Sequence, residues 1–231
     1  MSNQDQSKTQ LHLTFVEMLF ALAIGQIAID LSKLIYYQSI SSQTFWAVVP
    51  AYSHLLLAFA VISASWVGWR NSRFSGTHII DVFTLDYIEL AVDVVLVFMY
   101  FVLARAVEIP DSPKQSFNPN ALFEAKAIAI IISTYAVWDI VSCRTDPTKL
   151  IQRLWASISC TIISWCLVLG DIGGSGTVWA VLLADFSLIA LVFTFRAMKL
   201  YDFSEHNRKS WGLILLMLVL VLIFFVGSIK L

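Results

Sequence analysis

WGLILLMLVLVLIFFVGSI, residues 211–229, contains no ionisable side chain. As a helix these nineteen residues reach about 28 Å, close to the ~30 Å hydrocarbon core of a bilayer. Working outward, six more apolar segments of spanning length precede it, at 12–36, 45–69, 83–105, 121–143, 153–170 and 177–198. The pattern predicts an all-α, polytopic integral membrane protein, a bundle of seven transmembrane helices. Residues 1–11 form a short cytoplasmic tail and 12–231 a single transmembrane domain. The tail is polar, and no small-residue cleavage site follows the first apolar run, so that run is expected to be retained as a span.

Composition agrees. Hydrophobic residues make up 58% of the chain and charged residues 13%, about half the globular norm of roughly 25%. A soluble domain of this length has too little interior to hide that much apolar side chain. The fifth segment is the shortest, yet Leu154–Leu169 carries no charge. Pro50 falls in the first turns of the second segment, where proline is tolerated, and the other four prolines lie between segments. Gly173, Gly174 and Gly176 predict a tight turn that makes segments five and six an antiparallel hairpin.

Lysine and arginine placement sets the expected orientation. With seven spans, one side holds Lys8, Arg70, Arg73, Arg144, Lys149, Arg153, Arg196, Lys199, Arg208 and Lys209, a total of ten. The other holds Lys33, Arg105, Lys114, Lys126 and Lys230, a total of five. The N-terminus is therefore expected in the cytoplasm and the C-terminus outside, in a cytoplasmic (inner) membrane. All tryptophans except Trp165 fall near segment ends, where an indole prefers the headgroup level.

Acidic residues within the segments carry the functional signal. An ionisable group inside a bilayer costs about 2.5–3.5 kcal/mol on insertion scales and marks a functional site by default. Asp86, Glu89 and Asp93 are spaced i, i+3 and i+7 and share one helical face, with Asp93 deepest. Asp185 lies eight residues in from Thr177, and Arg196 is three turns away, too far to pair with it. Asp139 shares a face with Tyr135 and Ser142, and a rim arginine such as Arg144 is its expected partner. Glu17 stands on a small-residue face with Ala21, Gly25, Ala28 and Ser32, a pattern that favours close helix packing. His54, the only histidine expected inside the membrane, is a candidate for gating or pH sensing.

Several classes are excluded. Four scattered histidines do not make a histidine-rich zinc hydrolase site, and no metal ligand set or cofactor is expected. The last segment has no lysine for a retinal Schiff base, and no segment carries the repeated arginines of a voltage sensor. No nucleophile–base set supports an enzyme, and no basic block suggests nucleic acid. The three cysteines show no metal or disulfide spacing. The leading expectation is a membrane conduit, channel or carrier, for protons or small cations. Asp93 and Asp185 would be its midplane pair, and Glu17, Asp86, Glu89 and Asp139 its cytoplasmic funnel. The alternative is a non-transporting sensor, scaffold or effector subunit. It would act through a protein partner at the basic cytoplasmic loops, or as a homo-oligomer.

Overall fold

Inside a bilayer the backbone finds no water to bond, so an apolar chain satisfies its own amides as helix. The computed structural model describes residues 3–40, 44–73, 85–106, 120–143, 146–200 and 208–230. Side chains are described within 14–40, 44–70, 87–106, 120–143, 146–199, at 212 and within 214–229. Seven helices contain most of these residues: α1 (Asn3–Ile40), α2 (Phe45–Arg73), α3 (Leu85–Ala104), α4 (Ala121–Ser142), α5 (Pro147–Leu169), α6 (Val178–Leu200) and α7 (Arg208–Lys230). Helices α1 to α6 are long and apolar enough to cross a membrane, and α7 has a shorter described apolar stretch, Ile214–Ile229. The protein is a multi-pass, all-helical membrane protein.

Helix boundaries depart from hydropathy where local chemistry intervenes. Helix α5 begins at Pro147 rather than 153, because Asp146 caps it: its side chain accepts from Lys149 N at 3.1 Å, and proline occupies the first turn, where its missing N–H is harmless. That backbone bond holds the Asp146 carboxyl below its ordinary value. Asn120 caps α4 in the same way, accepting from Phe123 N at 3.0 Å. Helix α1 starts at Asn3, within the expected tail. The predicted hairpin between α5 and α6 is present. Gly173 sits at φ 71° with the Cβ position it lacks only 2.8 Å from Ala121 Cβ, so both backbone and space require glycine there.

Cross-helix contacts fix the relative directions. Gln38 meets Tyr52 while Phe20 meets Trp69, so α1 and α2 are antiparallel. Asp139 meets Ser157 while Ser133 meets Trp165, so α4 and α5 are too. Ser187 meets Val221 and Leu183 meets Gly227, giving the same relation for α6 and α7. In contrast, Ser53 meets Asp185 and Gly68 meets Arg196, so α2 and α6 are parallel. Helices α2, α4 and α6 form the centre: 56%, 56% and 61% of their apolar windows are buried, against 28%, 39% and 33% for α1, α3 and α5. The small-residue face of α1 does not pack against the other described residues. Glu17, Ala21, Ala28 and Ser32 are exposed, and nothing approaches the Gly25 Cα within reach of a Cβ.

Candidate functional site

The three central helices bring buried ionisable side chains together at two levels. His54, Glu124 and Asp185 share one level. Trp69, Asp139 and Lys199 follow them by 15, 15 and 14 residues, so the layers lie about 22 Å apart along the helix axes.

In the first layer, His54 Nδ1 is 2.8 Å from Glu124 Oε1 and Nε2 is 3.5 Å from Asp185 Oδ2. Ser53 Oγ bonds the same Asp185 oxygen and lies 2.8 Å from the Pro50 carbonyl. All three ionisable side chains are fully buried. Their approach is close, yet the ring N–H directions are not aligned with it. Both ring nitrogens, both Glu124 oxygens and Asp185 Oδ1 consequently lack a hydrogen-bond partner among the described residues. No described lysine or arginine forms an ion pair with either carboxyl. One ligand atom from each of the three residues lies within 4.8 Å of the others. An imidazole nitrogen, two carboxylates and a neighbouring hydroxyl form a nitrogen–oxygen donor set able to hold a proton or a divalent cation.

The second layer is closed on itself. Asp93 accepts from Trp138 Nε1 at 2.8 Å and from Trp69 Nε1 at 3.1 Å. Lys199 Nζ lies 2.8 and 2.9 Å from the two Asp139 oxygens, and Ser157 donates to Asp139 at 2.5 Å. The Lys199 ammonium also sits over the rings of Phe195 and Tyr135, at 4.5 and 4.8 Å. Arg196 Nη2 donates to Tyr135 Oη at 2.8 Å, and Tyr135 in turn meets Tyr100 Oη at 2.9 Å. Above Tyr135, α4 contributes Ala125, Ile128, Ile131 and Ile132, all buried. The eleven residues from Glu124 to Tyr135 set about 16 Å of largely apolar packing between the layers.

Of the residues anticipated from sequence, Asp185 and His54 meet in the first layer, while Asp93 and Asp139 belong to the second. Asp93 and Asp185 therefore do not form a pair. Each sits near the middle of its own segment, but the register between helices is set by packing. Asp139 is bonded by Lys199 of α6 rather than by a rim arginine; the Arg144 side chain lies outside the described residues. Glu89 is buried one turn before Asp93. Glu17 is exposed, and the Asp86 side chain lies outside those described. Glu124 was missed. Standing fourth in its segment, it reads as an acid at a helix N-terminus, where the macrodipole favours one. The signal available was its level: residues 54, 124 and 185 lie nine, three and eight residues inside the same-side ends of segments two, four and six. Asp30 was also passed over. It is buried on α1 with Gln26 Nε2 at 2.7 Å and Lys33 Nζ at 3.5 Å.

No known protein family, curated protein or solved structure matches this chain.

Proposed function

We propose that the protein is a conduit, channel or carrier, for protons or small cations, with His54, Glu124 and Asp185 as its binding station. The observation that carries this reading is the set of five buried polar atoms in that layer with no hydrogen-bond partner among the described residues, gathered around one imidazole and two carboxyls. Two carboxyls and an imidazole in a low-dielectric interior need charge balance. With no fixed cation bonded to them, the balance comes from a mobile one, a proton or a metal or alkali cation. By contrast, Asp139 is neutralised by Lys199 and Asp93 is held by two indoles. Those two acids shape the second layer and do not bind the transported ion.

In this reading all seven helices span an inner membrane with the N-terminus cytoplasmic. The station then lies toward the outer face, and the Asp93 and Asp139 layer toward the cytoplasm. The apolar packing between them makes this conformation closed to the cytoplasmic side. Transport therefore requires α4 to move relative to α2 or α6, as alternating access would supply. The test is flux into liposomes holding purified protein, under imposed gradients of protons, potassium, sodium and a divalent cation. Glu124→Gln and Asp185→Asn should abolish flux while the helices remain folded; Asp93→Asn should leave the ion preference unchanged. Undiminished flux in a folded Glu124→Gln/Asp185→Asn double variant would exclude the station. Absence of flux in the wild type under every gradient would favour a subunit acting through a protein partner.

A further inference from the structure

A cavity of about 740 Å³ opens between α2 and α6, within the ~300–1,000 Å³ range of ligand sites. Its walls include Leu56, Phe59 and Val67 of α2 and Phe186, Ile189 and Phe193 of α6. All but Ile189 are exposed, and all lie within apolar helices of spanning length, which puts the mouth at lipid level in a bilayer. Along α6 the lining runs from Phe186 to Lys199, and along α2 from Leu56 to Trp69. Each is a rise of about 20 Å, the long axis of a groove parallel to the helices.

One end of this groove is basic, with Arg153, Arg196 and Lys199. The charges there are not all balanced. Lys199 is taken by Asp139. Arg153 Nη1 donates to Cys143 Sγ at 3.5 Å and Arg196 Nη2 to Tyr135, so neither guanidinium meets a carboxylate among the described residues. Arg196 Nε is buried with no partner. That guanidinium lies across Gly68 of α2, where any Cβ would collide with Nη1. Its Cζ lies 4.8 Å from the centre of the Tyr135 ring. Asp93, the acid among the described residues that line the groove, already accepts from two indoles.

We infer that this groove binds an anionic phospholipid from the surrounding bilayer. The phosphate sits against Arg153 and Arg196, and one acyl chain lies along the seam of α2 and α6. A guanidinium fork suits a phosphate, and the charges of Arg153 and Arg196 meet no carboxylate among the described residues. An apolar channel that opens sideways and ends in cations at a helix terminus matches an amphiphile in both chemistry and direction. The site is separate from the His54 layer and stands whether or not the protein conducts ions.

The test uses the full-length protein in detergent, titrated with phosphatidylglycerol or phosphatidylcholine carrying brominated acyl chains. Tryptophan fluorescence is the readout, because Trp69 and Trp138 border the groove. The anionic lipid should quench at about 30-fold lower mole fraction than the zwitterionic one, from roughly fivefold per arginine. Arg153→Gln and Arg196→Gln should each remove about one fivefold step, and the double variant the whole preference. Ala60→Leu, which narrows the groove, should weaken quenching by both lipids. Arg105→Gln, an exposed basic residue at the far end of α3, should change nothing. Equal quenching of the wild type by the two lipids would overturn the proposal, as would a preference that survives in the double variant. If the double variant loses its helicity, the wild-type comparison and the single variants decide the matter.

Discussion

Replacing Lys199 with methionine removes the ammonium and keeps most of the apolar stem. The Asp139 carboxylate then keeps only the Ser157 hydroxyl, in a site where its own side chain is fully buried and that of Lys199 is 9% exposed. At 2.8 Å the gross attraction at an effective dielectric of 20 is about 6 kcal/mol. Desolvation of both ions offsets part of this, and breaking one side of a buried pair typically costs about 3–5 kcal/mol. The denatured chain in a micelle also finds polar partners, which favours the lower figure, about 3 kcal/mol. The assay is reversible unfolding in mixed micelles by added dodecyl sulfate, followed by far-ultraviolet circular dichroism. Asp139→Asn/Lys199→Met should recover to within about 1.5 kcal/mol of the wild type, since no uncompensated charge remains. A Lys199→Met loss under about 1 kcal/mol, or a double variant that merely sums the two single losses, would refute a buried, coupled pair.

Three further predictions concern other elements. Trp138→Phe should destabilise by about 1.5–3 kcal/mol through loss of the 2.8 Å indole donor to Asp93, and Trp69→Phe, at 3.1 Å, by less; thermal unfolding with equal midpoints for both variants and the wild type would contradict the bonded carboxylate. Gly173→Ala should cost more than Gly176→Ala. Both glycines have positive φ, a penalty of about 1–2 kcal/mol each, but only Gly173 also lacks room, with Ala121 Cβ 2.8 Å away; equal losses in the unfolding assay would show that the turn relaxes freely. The Asp146 carboxyl is held below its ordinary value of 3.8, first by the Lys149 backbone N–H. Its cap is therefore fully present at neutral pH and is lost as pH falls through the depressed value. The Lys149 amide resonance should shift with a midpoint below 3.8, and a midpoint at or above that value would mean the cap is not formed.

Helix number and approximate limits were legible because lipid imposes one length and one polarity on every span. The stops of α3 and the hairpin glycines needed no tertiary information. Where capping chemistry competed, hydropathy alone was too coarse. The Asp146-Pro147 pair starts α5 six residues before the apolar run that announces it. The site was legible in its elements and not in its assembly. Asp185 and His54 stand out as rare polar residues in apolar segments, whereas Glu124 hides in a first turn that ordinarily tolerates an acid. That the three meet, and that Asp93 instead meets two tryptophans, depends on how far each helix slides along its neighbours. Side-chain volumes across several interfaces decide that, and no single segment encodes them.

The Asp139–Lys199 bond joins residues 60 positions apart, and Glu124 and Asp185 are separated by a similar stretch. At about 5–20 residues per second, synthesis delivers the second partner some 3–12 s after the first. For that interval α4 carries two acids without the helix that completes their layers. The nascent chain therefore passes through an intermediate in which Glu124 and Asp139 of α4 lack their α6 partners, until α6 arrives. Biogenesis of this protein accordingly depends on holding α4 at the insertion machinery, or in contact with α2, until residue 199 has emerged.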